Sequence, residues 1–393
     1  MTQPRSAART RSTLGRRAWQ AAAIVTAGAL TALGVTAASA GASPPRGYQQ
    51  INLASDQPGT PLTDPDLVNA WGLSASPGTD AAPGSPLWVS DNGTDKTTLY
   101  AAGATADTVT KVPTFPNGID VASGVPTGQV FNTDTDANHF VVRDSAGHSA
   151  RAVFMFASEN GGIDGWNPGV GATAPGPSTV TEVAVKNGAN AVYKGLAIAQ
   201  ASDGHTYLYA ANFRSGRVEA YDDTFTPVAL PGGFFVDTRI PAGYAPFNVQ
   251  ELAGQLYVSY AKQNTTTLLD DVAGRGNGFV DVFTNDGAFA KRLVTRGQLN
   301  SPWGLALAPA DFGRFSGALL VGNFGDGRIN AYNPDRGTFL GQLRDTHNRP
   351  IDIDGLWGLR FGNGNAAKTN ELLFSAGPDD ESHGLLGKIV AVG

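Results

Sequence analysis

Residues 301–343, SPWGLALAPADFGRFSGALLVGNFGDGRINAYNPDRGTFLGQL, decide the fold. Four short apolar runs, 303–308, 318–322, 328–332 and 339–343, are separated by Gly, Pro, Asn or Asp. That spacing predicts consecutive antiparallel strands joined by tight turns, which is one propeller blade. The segment LYAANFRSGRVEAYD at 208–222 aligns without a gap on LLVGNFGDGRINAYN at 319–333, so the unit recurs.

Working outward, each blade opens at one position: Gly72, Gly128, Gly195, Asn248, Gly304 and Gly358, at gaps of 56, 67, 53, 56 and 54. Opening blade two at Gly118 instead gives gaps of 46 and 77, and a unit stacked on identical neighbours should keep its length, so Gly128 is preferred. The long second gap then absorbs an insertion at 133–148, and blade four carries another at 262–277, between its second and third strands. Blade six is one strand short at the C-terminus, while an unpartnered strand, YQQINLAS, lies at 48–55. The expected fold is therefore an all-β, six-bladed β-propeller of four-stranded antiparallel blades. The N-terminal strand completes the last blade and removes an open sheet edge.

The first forty residues read as an export signal. Arg5, Arg9, Arg11, Arg16 and Arg17 precede an apolar run at 18–35, and Ala38-Ser39-Ala40 supplies a small-x-small cleavage pattern. Residues 41–47 form a linker and 48–393 a single propeller domain. Arg16-Arg17 suggests twin-arginine export, with the Sec route as the alternative. A secreted or extracytoplasmic protein is expected, with no stable membrane anchor after cleavage near Ala40; the rival is an uncleaved anchor, since the run is close to spanning length. The five arginines belong to the leader, which leaves 23 basic against 34 acidic residues and a net charge of −11. Such a surface repels nucleic acid, so no nucleic-acid partner is assigned. Without cysteine there are no disulfides, thiolate metal sites or thiol nucleophiles. Fifty glycines and 24 prolines between regular apolar runs indicate turns rather than disorder.

The unit GLALAP…GALLVGNFGDGRINAYNPDRGTF resembles the NHL repeat, and the six-fold ring resembles gluconolactonase-like propellers. The combination of AWGL, YAKQ…LDDVAGRGNGFVDVF, SPWGLALAP, ALLVGNFGDGRINAY and LWGLRFGNG is similar to an uncharacterised family of exported bacterial β-propeller proteins, over residues 48–393. The resemblance implies a fold and export, without an established reaction. Some members carry a C-terminal sorting tail, which is not expected here.

No GxSxG, HExxH, complete phosphate loop or dinucleotide fingerprint is present. Asp134-Thr135-Asp136 opens like a calcium loop, but His139 and Ser145 stand where glycine and glutamate are required. Residues ending the second strands converge toward a propeller's axis, and Asp91, Glu159, Asn212 and Asn323 are the candidate ligands of a divalent cation such as calcium. The competing reading is that Asp and Asn there cap their own turns. Trp71, Trp303 and Trp357 precede opening glycines and either line an axial pocket or pack between blades. Lys262, Gln263, Asp270, Asp271 and Arg275 in the blade-four insertion are the foremost ligand-binding candidates, because long loops on rigid scaffolds carry binding residues. A second acidic cluster, Asp379, Asp380, Glu381 and His383, occupies the equivalent loop of blade six. Two functions follow. One is a secreted, monomeric binding or scaffold protein presenting one loop face to a small molecule or protein. The other is a metal-assisted lactonase-like or lyase-like enzyme with its site at the mouth of the axial channel. No catalytic residue is assigned.

Overall fold

Alternation along the strands builds the packing: in blade three, Leu208 and Ala210 face blade two while Tyr209 and Ala211 face blade four, the period of two of a pleated strand. The computed structural model describes residues 47–173, 175–229 and 233–393. The leader, its cleavage point and linker residues 41–46 lie outside the described residues. Each blade's inner strand, respectively Ala70–Ser74, Pro126–Phe131, Tyr193–Gln200, Tyr244–Leu252, Pro302–Leu307 and Leu356–Phe361, borders the axis. The second strands, Leu87–Asp91, Phe154–Ser158, Thr206–Asn212, Gln255–Lys262, Leu319–Asn323 and Leu372–Ala376, pair antiparallel to them. Apolar clusters fill every interface between successive blades, and a seventh cluster lies on the axis. The insertion of blade two supplies one arm of a small hairpin, Val141–Arg143, which pairs with Ser149–Arg151 just beyond it.

Ring closure is by the N-terminal strand. Gly47–Ser55 pairs antiparallel with the final strand Leu385–Val392, from Gly47 opposite Val392 to Ser55 opposite Leu385. The buried Tyr48 hydroxyl fixes this strand to blade five, donating to the Phe312 carbonyl and accepting from the Phe315 amide, both at 3.0 Å. Beyond it, Leu62–Thr63 adds a short parallel strand.

The opening residues form a ring of close backbone contacts. A Cβ on Gly72 would lie 2.3 Å from the Thr127 carbonyl oxygen, and one on Gly128 would lie 2.7 Å from the Gly195 Cα. A Cβ on Gly195 would meet Asn248, one on Gly304 the Trp357 carbonyl, and one on Gly358 the Trp71 carbonyl. None of these glycines has a positive φ, so they serve close approach of strands rather than an unusual backbone turn. Asn248, the exception, spans to blade five by donating from its side-chain amide to the Trp303 carbonyl at 2.9 Å.

Candidate functional site

The antiparallel pairs Ala70–Asp91, Tyr193–Asn212, Pro302–Asn323 and Leu356–Ala376 put the start of each inner strand beside the end of the second strand. Both therefore open onto one face, here called the loop face. Residues immediately before the ring positions form a column: Trp71, Thr127, Lys194, Phe247, Trp303 and Trp357. Four of the six are aromatic and plug the axis. Trp71 and Trp357 stack at 3.8 Å, Phe324 stacks on Trp357 at 3.9 Å, and Trp303 meets Trp357 edge-on at 5.9 Å.

Lys194 is the one charge in that column. It is 3% exposed, its Nζ lies 4.9 Å from the Trp71 ring centroid, and it donates to the Glu159 carboxylate. A lysine is retained at such depth only with a counter-charge, and Glu159 and the indole face supply it. The same carboxylate accepts from the Asn92 amide at 3.1 Å, and Asn92 in turn is bonded to Asn69. Trp357 donates its indole N–H to Asn69 and Trp303 donates to the Lys194 carbonyl. The buried indole N–H of Trp71 has no acceptor among the described residues, an orphan donor at the centre of the plug.

Two further carboxylates reach this mouth from the long loops. Asp271 accepts from the Ser301 hydroxyl, and burial raises its pKa against the lowering effects of that bond and of Lys194. Glu381 has no hydrogen-bond partner for its carboxylate among the described residues; burial, reinforced by Glu159, Asp271 and Asp270, pushes it up to about 7, with Lys194 opposing. It is held there by a backbone under strain, since Asp379, Asp380 and Glu381 have φ of 54°, 52° and 64°. Three successive non-glycine residues in left-handed conformation cost about 1 kcal/mol or more each and persist only where the surroundings impose them.

The predicted residues divide accordingly. Trp71, Trp303 and Trp357 are brought together in the axial plug, packing on one another across the centre. From the blade-four insertion, Asp271 joins the mouth, and the buried Gln263 donates to the Phe213 carbonyl beneath it. Lys262, Asp270 and Arg275 are exposed. Of the four metal candidates, only Glu159 reaches the mouth. Asn212 is spent on its own turn, accepting from the Val192 and Ser215 amides and donating to Glu219. Asn323 donates to the Gln298 carbonyl and to Asp326. Asp91 is fully buried toward blade six, near Asp64 and Lys111; burial drives its carboxyl well above the usual range, and neither oxygen has a hydrogen-bond partner among the described residues. Asn212 and Asn323 are thus committed to hydrogen bonds within the protein, and no group of three or more carboxylates or histidines suited to a metal occurs among the described residues. Lys194 and Asn92 were missed; Lys194 could have been found by reading the column before the opening glycines, where a lone cation stands among aromatics. Among the described residues no helix is long and apolar enough to cross a membrane.

No family model matches the chain. Among solved structures it is similar to a gluconolactonase from Xanthomonas campestris (12% identity, 60% of this chain and 81% of that one, TM-score 0.37). It is also similar to a protein of unknown function from Bacteroides thetaiotaomicron (10% identity, 87% and 76%, TM-score 0.48). Two uncharacterized proteins of Acanthamoeba polyphaga mimivirus match more strongly in sequence. R648 is 31% identical over 338 residues, covering 83% of this chain and 76% of its own. L690 is 31% identical over 342 residues, covering 83% and 81%. The chain belongs to the family of R648 and L690.

Proposed function

We propose that the protein is an exported binding propeller that takes a cationic ligand at the axial mouth of its loop face. One observation carries this reading: among the described residues the one buried lysine at the mouth, Lys194, is already paired to Glu159, and neither Asp271 nor Glu381 has an ion-pair partner. An ammonium or guanidinium group entering between the blade-four and blade-six loops would satisfy both carboxylates. Their raised pKa values then fall back toward the ordinary range, so binding releases a proton from Glu381, pushed up to about 7 in the free protein, near neutral pH. The ligand's charge also suits the excess of acidic residues in the chain.

Isothermal titration with spermidine, a flexible organic cation, in two buffers of different ionisation enthalpy tests the reading. Binding should strengthen between pH 6 and pH 8 with proton release at pH 7, and Asp271→Asn with Glu381→Gln should weaken it at least tenfold. Equal affinity of wild type and the double variant, or no binding at pH 8, would count against a cation site here.

A further inference from the structure

The opposite end of the axis carries a different chemistry. A cavity of about 220 Å³ lies among the C-terminal halves of the inner strands, bounded by the ring residues Gly72, Gly128 and Gly358 and reaching Trp303. Its polar wall groups are mostly committed to the protein. Gln129 donates to the Gly72 and Trp88 carbonyls and accepts from Ser74; Asn248 donates to the Trp303 carbonyl. Glu251, at the edge, accepts from the Gly254 amide of its own hairpin at 2.6 Å.

Arg360 is the exception. Its guanidinium carries five N–H donors, yet its one bond among the described residues is from Nη2 to the Ala75 carbonyl at 2.9 Å. No carboxylate lies within ion-pair reach of it among the described residues. Burial alone depresses it, to about 10, without any opposing charge to offset the cost. A half-buried guanidinium without a counter-ion among the described residues, with donors open to a cavity, has the chemistry to receive an anion.

We propose that this cavity binds a small organic carboxylate, whose two oxygens take the paired N–H donors of Arg360. The planar fork of a guanidinium matches a carboxylate in bidentate geometry. A volume of about 220 Å³, near that of seven waters at ~30 Å³ each, accommodates a molecule the size of a di- or tricarboxylic acid. This site is independent of the cationic site on the loop face, because the aromatic plug stands between them.

The test uses the mature protein and three probes, malonate, citrate and inorganic phosphate, followed by calorimetry and by tryptophan fluorescence, since Trp303 borders the cavity. Wild type should bind malonate or citrate. Arg360→Gln should weaken that binding at least tenfold, and Arg360→Lys, which keeps the charge but not the fork, should weaken it several-fold. Thermal unfolding without ligand checks that both variants fold, and the lysine variant keeps the comparison informative if the glutamine variant does not. Absence of binding by either acid, phosphate binding more tightly than both, or affinity unchanged in a folded variant would each overturn the proposal.

Discussion

The two ends of one axis are built from the same pair of positions, repeated in six blades, and come out chemically opposite. At the loop face the first residue of each pair points bulk into the centre: Trp, Thr, Lys, Phe, Trp and Trp. Below it the second residue, glycine in five blades, lets the inner strands approach and leaves a cavity under the plug. The loop end gathers carboxylates in excess of its lysine, and the far end keeps Arg360 with no carboxylate in ion-pair reach among the described residues. Repetition thus fixes the frame, and departures from it place polar groups on the axis: Lys194 where four other blades carry an aromatic, Asn248 where the other five carry glycine.

The harshest way to break this arrangement is to fill the ring. Gly128→Ala sets a Cβ 2.6 Å from the Leu196 nitrogen and 2.7 Å from the Gly195 Cα, both backbone atoms that cannot turn away. Overpacking against movable side chains costs about 1–3 kcal/mol, so a clash with backbone on the next blade should cost about 3 kcal/mol or more. Urea unfolding of this variant should show a lower midpoint at nearly unchanged slope. Stability within experimental error of wild type would mean that the inner strands are not in mutual contact at this ring.

A milder break acts on the plug. Lys194→Met keeps the aliphatic stem against Trp71 and removes the charge, stranding Glu159 beside Asp271 and Glu381. Breaking a buried pair costs about 3–5 kcal/mol, and the Glu159 side chain, 24% exposed, retains some hydration, so about 2 kcal/mol is expected at pH 8. The loss should shrink at pH 5, where Glu381, pushed up to about 7, is protonated and its repulsion is relieved. Adding Glu159→Gln should recover part of it, because the second change removes the stranded charge. A double variant less stable than Lys194→Met would show that Glu159 serves another partner.

What the sequence makes legible follows from range. Turn residues and the period of two are local, so the blades, the insertion at 262–277 and even the closing strand can be read from it. The turn-capping role of Asn212 is also local: its side-chain oxygen accepts from the Ser215 amide three residues on, while its bond to the Val192 amide is not local. Convergence at the mouth is not local. Glu159, Lys194, Asp271 and Glu381 belong to four blades, and only ring closure sets them around one point. Lys194 alone reads as the start of a strand; it becomes informative when six blades are superposed and its neighbours in the column prove aromatic. Arg360 is hidden for the converse reason: an exposed arginine and an unpaired, half-buried one look identical until the cavity beside it is seen.

The finest contrast between the two ends is in their response to pH. Glu381 titrates near 7 in the folded protein against an ordinary value of 4.5, so between those limits the folded form holds a proton that the unfolded chain has released. Its contribution is fully present below about pH 4.5 and is lost as pH rises through 7, and the raised pKa of Asp271 acts in the same direction. Stability should therefore fall from pH 5 to pH 7.5, and Glu381→Gln, uncharged throughout, should flatten that fall by an amount equivalent to about 2 °C in Tm. Arg360 adds nothing to this window, because even at about 10 it stays charged throughout it. Thermal melts across the range for wild type, Glu381→Gln and Arg360→Lys separate the ends: the slope should change in the first variant alone. An unchanged slope in Glu381→Gln would place the proton on another group of the mouth, and Asp271→Asn would then be the variant that flattens it.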